Sequence, residues 1–217
     1  MKKALPIFLA GVAAASILMS GAAMAYEGGN WRFTAGMTTV DPEQGNGTVA
    51  GLDVNVDDDT QLSFTGAYMF TPAWGLELLA SLPFEHDFSL NGSTTVGADV
   101  VPVVYSGSTK HLPPTLSVQY HFNSAGKLIP YVGLGVNYTI FFSTKTYGAL
   151  GAADLELDNS VGVAAQAGVD YMIDENFFVN LDLRYISIEP DAKLNGTKIG
   201  TVDINPTTVG LSLGYRF

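Results

Sequence analysis

The sequence has no cysteine and few charged residues for its length. Without cysteine no disulfide can constrain the chain, so its stability must come from burial and backbone hydrogen bonding. Charged residues make up 14% of the chain, against about 25% in an average soluble domain. There are 10 Lys and Arg against 21 Asp and Glu. With no basic patch to meet phosphates, nucleic-acid binding is excluded.

Long apolar runs are also missing, except at the start. Past residue 25 none approaches the roughly 20 residues that a membrane helix needs, and low charge without such a span is typical of a membrane β-barrel. The first 25 residues have the three parts of a secretory signal: Lys2 and Lys3, an apolar stretch over 4–19, and Ala23-Met24-Ala25 as a cleavage site. We predict a signal peptide over 1–25 and one domain over 26–217. A membrane anchor helix is the alternative.

Eight segments of the mature chain alternate apolar and other residues with the period of two that is typical of β-strands. They span residues 30–40, 60–71, 73–88, 110–123, 129–145, 158–173, 176–189 and 201–217. Tight turns join alternate pairs, whereas residues 41–59, 89–109, 146–157 and 190–200 form long, polar, Gly-rich loops. Outer-membrane barrels show this asymmetry, with the short turns in the periplasm. We therefore predict an all-β fold, an eight-stranded antiparallel up-and-down transmembrane β-barrel with both termini in the periplasm.

A soluble barrel of the lipocalin kind would show the same alternation with its faces reversed. The less apolar faces of the strands carry mostly Gly, Ala, Ser and Thr, which suit a narrow lumen better than a solvated surface. Aromatic residues also gather at the short-turn ends, as in the girdle of a membrane barrel. These residues are Trp31, Phe70, Trp74, Tyr120, Phe122, Tyr131, Phe177, Tyr215 and Phe217.

The inward faces also carry a few charged and polar residues. They are Arg32, Glu77, Glu85, Asp170, Asp182, Arg184 and Arg216, with Gln119, His121, Gln166 and Asn180. Because an unpaired charge in the lumen would be very costly, we expect an ion-pair and hydrogen-bond network there. Such a network either holds the barrel closed or lines a path through it.

Several motifs resemble the outer membrane protein W family. Residues 110–116, KHLPPTL, resemble its HHLPPTL segment, and residues 130–142 resemble its PYVGAGxNYTxFF segment. Shorter matches cover 75–80, 168–171 and 214–217, so the resemblance runs through the whole mature chain. It implies a barrel in the Gram-negative outer membrane, with a hydrophobic channel open to the outside for passive passage of small hydrophobic molecules. The substrate would enter between the extracellular loops and leave sideways through the wall, above a polar network.

Within that picture, individual residues have candidate roles. By parity Leu79 faces inward between polar neighbours and is a candidate constriction, although local packing explains it equally well. Pro83, Pro113 and Pro114 lack backbone donors, so ladder bonds must be missing between strands three and four; this seam is a lateral exit or an ordinary bulge. Arg184 departs from an aromatic residue in a family relative and makes the lumen more polar. The full set of predicted channel-lining residues is Leu79, Glu77, Arg184, Arg32, Gln119, Gln166 and Asp182.

Other candidate sites have weaker support from the sequence. His86 and His111 lie near the outer ends of adjacent strands and could approach each other as a zinc pair. The acidic residues at 53 and 57–59 could attract divalent cations near lipopolysaccharide, or simply form a solvated loop. We predict no metal, no cofactor and no enzymatic activity. The expected partners are outer-membrane lipid, lipopolysaccharide, a small hydrophobic substrate and, through the terminal Tyr-x-Phe, the outer-membrane assembly machinery. The alternative function is a structural or receptor barrel, such as a phage or colicin receptor or a stress-response protein, without transport.

Overall fold

The computed structural model describes residues 26–43, 45–96, 99–122, 126–148 and 154–217; the predicted signal peptide lies outside them. The described ranges contain no helix long and apolar enough to cross a bilayer. The strands are β1 Trp31–Asp41, β2 Thr48–Val49, β3 Leu52–Val56, β4 Asp59–Met69, β5 Trp74–Ser81, β6 Phe84–Val96, β7 Asp99–Leu112, β8 Thr115–His121, β9 Leu128–Tyr147, β10 Leu155–Leu157, β11 Ser160–Met172, β12 Phe177–Ile186, β13 Asp191–Leu194, β14 Thr197–Thr201 and β15 Thr207–Arg216.

Eight of these strands form a closed antiparallel barrel. The order is β1-β4-β5-β8-β9-β11-β12-β15, and β15 pairs with β1 from Arg32↔Arg216 to Asp41↔Thr207 to close the ring. Closure leaves no sheet edge, which a lipid environment requires because it supplies no hydrogen bonds to backbone groups. The predicted eight-stranded fold is confirmed, with strands three and four each divided into two parts: β5 and β6, and β7 and β8.

A second sheet extends the wall on the long-loop side, which is the extracellular side. Its order is β10-β13-β14-β2-β3-β6-β7-β9. The prediction of four long loops was therefore wrong in part, since they contain β2, β3, β10, β13, β14 and most of the β6–β7 hairpin. These segments carry polar residues on one face and scattered apolar residues on the other, which made the alternation hard to recognise. Their apolar side chains pack together inside the extension, including Val49, Val54, Leu90, Val202 and Ile204.

The outer face of the barrel is apolar. Trp31, Trp74 and Phe217 at the short-turn end are all exposed, as the girdle prediction requires. Tyr131 is an exception, because its side chain is buried in the lumen rather than exposed in the girdle. Further from that end the exposed residues are aliphatic, among them Leu134 on β9. Such a surface suits hydrocarbon rather than water.

Strands three and four separate at one level. Their lower ladder ends at Leu79↔Thr115 and their upper ladder begins at Phe84↔His111. Residues 80–83 therefore oppose residues 112–114, and the extra residue breaks the alternation of faces. This shift overturns one expectation: Glu85 points outward, where its carboxylate forms an ion pair with Lys110 at 3.3 Å. We call this interruption the ladder gap (residues 80–83 and 112–114).

Candidate functional site

The lower lumen is filled by a continuous polar network, which we call the polar lock (Tyr26, Arg32, Glu77, Gln119, His121, Tyr131, Asp170, Asn180, Asp182 and Arg184). In its upper part the Arg184 guanidinium donates to Glu77 at 2.9 Å and to Asp182 at 3.2 Å. The Tyr131 hydroxyl donates to the other carboxylate oxygen of Asp182 at 2.8 Å. These contacts join three strands across the lumen. The predicted network is therefore present.

The lower part of the lock centres on Asp170, which is fully buried. Its carboxylate forms an ion pair with Arg32 and accepts hydrogen bonds from Asn180 at 2.8 Å and from the Tyr26 hydroxyl at 2.6 Å. Asn180 also donates to Tyr131 at 2.9 Å, which links the two parts. Each buried charge thus has partners, as burial demands.

Tyr26 is a member of the lock that the sequence did not reveal. It precedes β1 and belongs to no strand, yet its ring is buried between Phe178, His121 and the Arg32 guanidinium, whose carbon lies 4.7 Å from the ring centroid. Below it, Met69, Ile129 and Met172 join Tyr26 and Phe178 in an apolar cluster. No strand pattern marks a residue outside the strands, so only the fold shows that this segment enters the barrel.

Gln119 and Gln166, both predicted to line the lumen, are buried there. The Gln119 side-chain oxygen lies 3.3 Å from a guanidinium nitrogen of Arg32 and 3.1 Å from Nε2 of His121. The Gln166 side chain lies directly over Gly133, where a Cβ atom would come within 2.7 Å of its Nε2 atom. The interior is narrow enough that glycine is needed opposite a larger side chain.

Leu79 lies on the inward face, half-buried, between Thr65 of β4 and Thr115 of β8. The surrounding level is lined by hydroxyl groups; for example, the Thr38 and Ser63 hydroxyls lie 2.7 Å apart. Leu79 is also the last residue of β5 that pairs below the ladder gap. Its role as a constriction stays a prediction.

The ladder gap contains the three prolines singled out from the sequence, Pro83, Pro113 and Pro114. A side chain from the next strand occupies the bonding positions there. The amide nitrogen of Asn137 on β9 donates to the carbonyls of Pro113 and Pro114, each at 3.1 Å, and the Thr115 hydroxyl also donates to Pro113 at 3.1 Å. The backbone N–H of Tyr138 on β9 also donates to the Pro114 carbonyl, at 3.0 Å. Both carbonyls are therefore satisfied from the β9 side, without β5 or β6.

An apolar cavity of about 550 Å³, counting the part open to solvent, lies inside the extracellular extension. Aliphatic residues of several short strands form most of its wall, and Phe88, Phe141, His86, His111 and Thr109 complete it. His111 belongs to the first residue pair above the ladder gap. The cavity and the gap therefore adjoin.

His86 and His111 meet, as their positions on adjacent strands predicted. Their rings stack with centroids 4.9 Å apart and planes 13° apart. Lone pairs lie in the plane of each ring, so near-parallel rings do not converge on one ion, and the described residues contain no group of three metal-ligating side chains. The acidic segment at 57–59 is likewise structural in part: the carboxylate of Asp59, the first residue of β4, accepts hydrogen bonds from the backbone nitrogens of Thr60 and Glu85.

A closed eight-stranded barrel with an apolar outer face and an ion-paired lumen is an outer-membrane β-barrel of the Gram-negative type. The chain belongs to the OmpW family, whose model matches residues 27–217. The resemblance drawn from the sequence motifs is thereby confirmed.

Individual relatives agree with this assignment. The outer membrane protein W of Escherichia coli strain K12 is 40% identical over 213 residues, which cover 94% of this chain and 96% of that protein. The outer membrane protein AlkL of Ectopseudomonas oleovorans is 31% identical over 176 residues, 80% of this chain and 73% of that protein. The crystal structure of the outer membrane protein OprG from Pseudomonas aeruginosa matches with a TM-score of 0.74 and 30% identity, covering 90% of this chain and 99% of that one. All three of these relatives are outer membrane proteins.

Proposed function

We propose that this barrel is a passive conduit for small hydrophobic molecules, which enter the extracellular cavity and leave sideways through the ladder gap. The observation that carries the proposal is the position of an apolar cavity next to an interruption in the backbone pairing of the barrel wall. Membership of the OmpW family supports it, since the motif resemblance implied the same class of substrate.

The cavity supports an apolar substrate rather than an ion or a sugar. Its wall is almost entirely hydrocarbon, with Val54, Leu90 and Ile204 among the lining residues. Burying apolar surface there is favourable by about 25 cal/mol per Å². A hydrated solute would instead lose its water without gaining partners.

The polar lock supports sideways rather than axial release. To pass along the axis, an apolar molecule would have to separate Arg32 from Asp170 and Arg184 from Glu77, which exposes buried charges to an apolar neighbour. The ladder gap demands no such step, because none of residues 80–83 and 112–114 is charged. A substrate leaving there meets the lipid that surrounds the apolar outer face.

The remaining partners follow from the same surfaces. Outer-membrane lipid contacts the apolar band. Lipopolysaccharide in the outer leaflet is the neighbour of the extracellular extension, where Glu85 and Lys110 form a charged pair on the outer surface. The C-terminal strand β15 both closes the barrel against β1 and carries the Tyr-x-Phe ending that resembles an assembly signal.

Two matched substitutions test the proposal. Ala192 is buried and lines the cavity, whereas Ala167 faces lipid on β11. We expect Ala192→Phe to reduce uptake of a radiolabelled alkane into cells that lack other copies of the protein, and Ala167→Phe to leave it unchanged. Both variants are first checked for equal amounts of folded barrel in the membrane. If cells with the wild-type protein take up the alkane no faster than cells without it, the proposal is contradicted.

A further inference from the structure

The extracellular extension carries nearly all of the negative charge of the mature chain. Residues 41–59, 85–110, 140–160 and 187–207 contain 15 Asp and Glu against 4 Lys and no Arg, a net charge of −11. The rest of the mature chain contains 6 acidic and 4 basic side chains. This excess of one sign surrounds the cavity, whose own wall is almost entirely hydrocarbon.

The alternation of side chains places carboxylates directly behind that wall. Asp203 is exposed between Val202 and Ile204, which are buried and line the cavity. On β10, Glu156 is exposed between two leucines that line it. Because successive side chains of an extended chain point to opposite faces, each such carboxylate lies outside a wall that is one strand thick. The exposed carboxylates that adjoin lining residues in the chain are Asp53, Asp57, Glu85, Asp87, Glu156 and Asp203.

The wall of the cavity holds no cation that could offset this charge. Among the described residues that line it, none is Lys or Arg. Burial lowers the pKa of its two histidines, His86 and His111, so both rings are neutral at physiological pH. An anionic head group in the cavity would therefore find no partner. Three of the four lysines of the extension form ion pairs with carboxylates: Lys110 with Glu85, Lys193 with Asp158 and Lys198 with Asp191.

The field of the outer carboxylates reaches the inner side of the wall. Burial lowers the pKa of His86, and the nearby carboxylates of Asp57, Asp58 and Asp59 act against that lowering. Such an effect is expected across a thin apolar wall, because hydrocarbon screens charge much less than water and salt do. Clefts with charge of one sign and low-dielectric walls also focus the field toward their interior.

From this arrangement we infer that the cavity discriminates by charge: it admits neutral apolar molecules and rejects anionic amphiphiles such as medium-chain carboxylates. The exposed carboxylates of the extension are the specificity-determining residues. An anion is repelled from several sides and has no cation to replace the water that its head group loses. A cationic amphiphile meets the opposite field. This inference rests on the proposed function, since it names the charge of the molecules that the same cavity takes.

The test compares three ligands with the same alkyl chain: 1-decanol, decanoate and decyltrimethylammonium. The folded barrel is held in phosphatidylcholine nanodiscs, which have no net surface charge, at a pH of about 8, where a carboxylic acid is ionised. Methyl NMR signals of the cavity residues Val54 and Val202 report occupancy, and empty nanodiscs correct for partition into lipid. The variant combines Asp53→Asn, Asp87→Asn and Glu156→Gln, which removes three exposed charges and keeps the side-chain sizes.

A matched control removes three charges at the periplasmic end, with Glu27→Gln, Asp174→Asn and Glu175→Gln. At about 10 mM salt, where the Debye length is about 30 Å, we expect the extracellular variant to bind decanoate about threefold more tightly than wild type and the ammonium compound about threefold more weakly. Decanol affinity should not change. Salt at about 1 M, with a Debye length of about 3 Å, should abolish both shifts. Opposite shifts identify a field, because structural damage would move all three affinities in the same direction.

The control variant should bind all three ligands as the wild type does. A decanoate affinity that neutralisation leaves unchanged, whether strong or absent, would overturn charge discrimination, and so would equal shifts in the control. Either result, with decanol still occupying the cavity, leaves the proposed function standing. Valine signals that respond to none of the ligands would overturn both.

Discussion

Removing the Asp170 carboxylate gives the strongest test of whether ion pairs in the lumen stabilise the folded barrel. Asp170 forms an ion pair with Arg32 and accepts hydrogen bonds from Tyr26 and Asn180, and Arg32 is only 2% exposed. In Asp170→Ala the guanidinium stays buried without a carboxylate. Breaking a buried pair in this way costs about 3–5 kcal/mol, or about two to four orders of magnitude in the unfolding equilibrium.

Urea unfolding in phospholipid vesicles measures this loss. Trp31 and Trp74, the only tryptophans of the chain, both lie on the lipid face, so their fluorescence reports insertion. The control variant Arg32→Met with Asp170→Leu removes both charges, and we expect it to be more stable than Asp170→Ala by about 2 kcal/mol or more. A single variant within about 1 kcal/mol of wild type, or a double variant no better than the single one, would refute the argument that charge pairing holds the lumen.

Three further substitutions probe packing, lipid contact and titration. Gly214→Ala places a Cβ atom 2.1 Å from the Phe178 ring, so a loss of about 1–3 kcal/mol is expected; Gly126→Ala, with open space around it, should be neutral in the same urea titration. Leu134→Arg puts a charge on the lipid face, where Leu134 is 72% exposed, and should destabilise by about 2–4 kcal/mol if this position lies near the midplane; an effect near zero would contradict the lipid-facing assignment. Burial lowers the pKa of His111 to about 3, so the unfolded chain takes up the proton first and stability falls as pH drops from about 6.5 towards 3. Unfolding of His111→Phe should show a smaller loss over that range, and an identical pH profile would contradict the burial of a neutral ring.

Much of the barrel could be predicted from the alternation of side chains. The eight membrane strands, their faces and the inward charges follow from a period of two, because lipid on one side and a narrow lumen on the other impose opposite demands on neighbouring residues. The extracellular strands could not be predicted in the same way, because most of them are only two to five residues long and lie in polar, Gly-rich segments.

Side-chain positions that depend on strand register could not be predicted from the sequence either. We predicted that Glu85 faces inward because the sequence does not show the extra residue next to Pro83. That residue reverses which side chains of the strand face inward beyond it. The partners within the lock, such as Arg184 with Glu77, join residues far apart in the chain. Their meeting depends on the stagger between strands around the closed barrel, which a single sequence does not encode in any local pattern.

Sealing the ladder gap tests the central claim most directly. The chain has no cysteine, so Leu82→Cys with Leu112→Cys supplies the only thiols, one on each side of the gap, for a short bismaleimide crosslinker. Uptake of a hydrophobic substrate is measured in cells before and after treatment, with each single-cysteine variant as control and mass spectrometry to verify the crosslink. Lateral release predicts that crosslinking lowers uptake to the level of cells without the protein while the controls are unaffected. Unchanged uptake through a fully crosslinked barrel would contradict it.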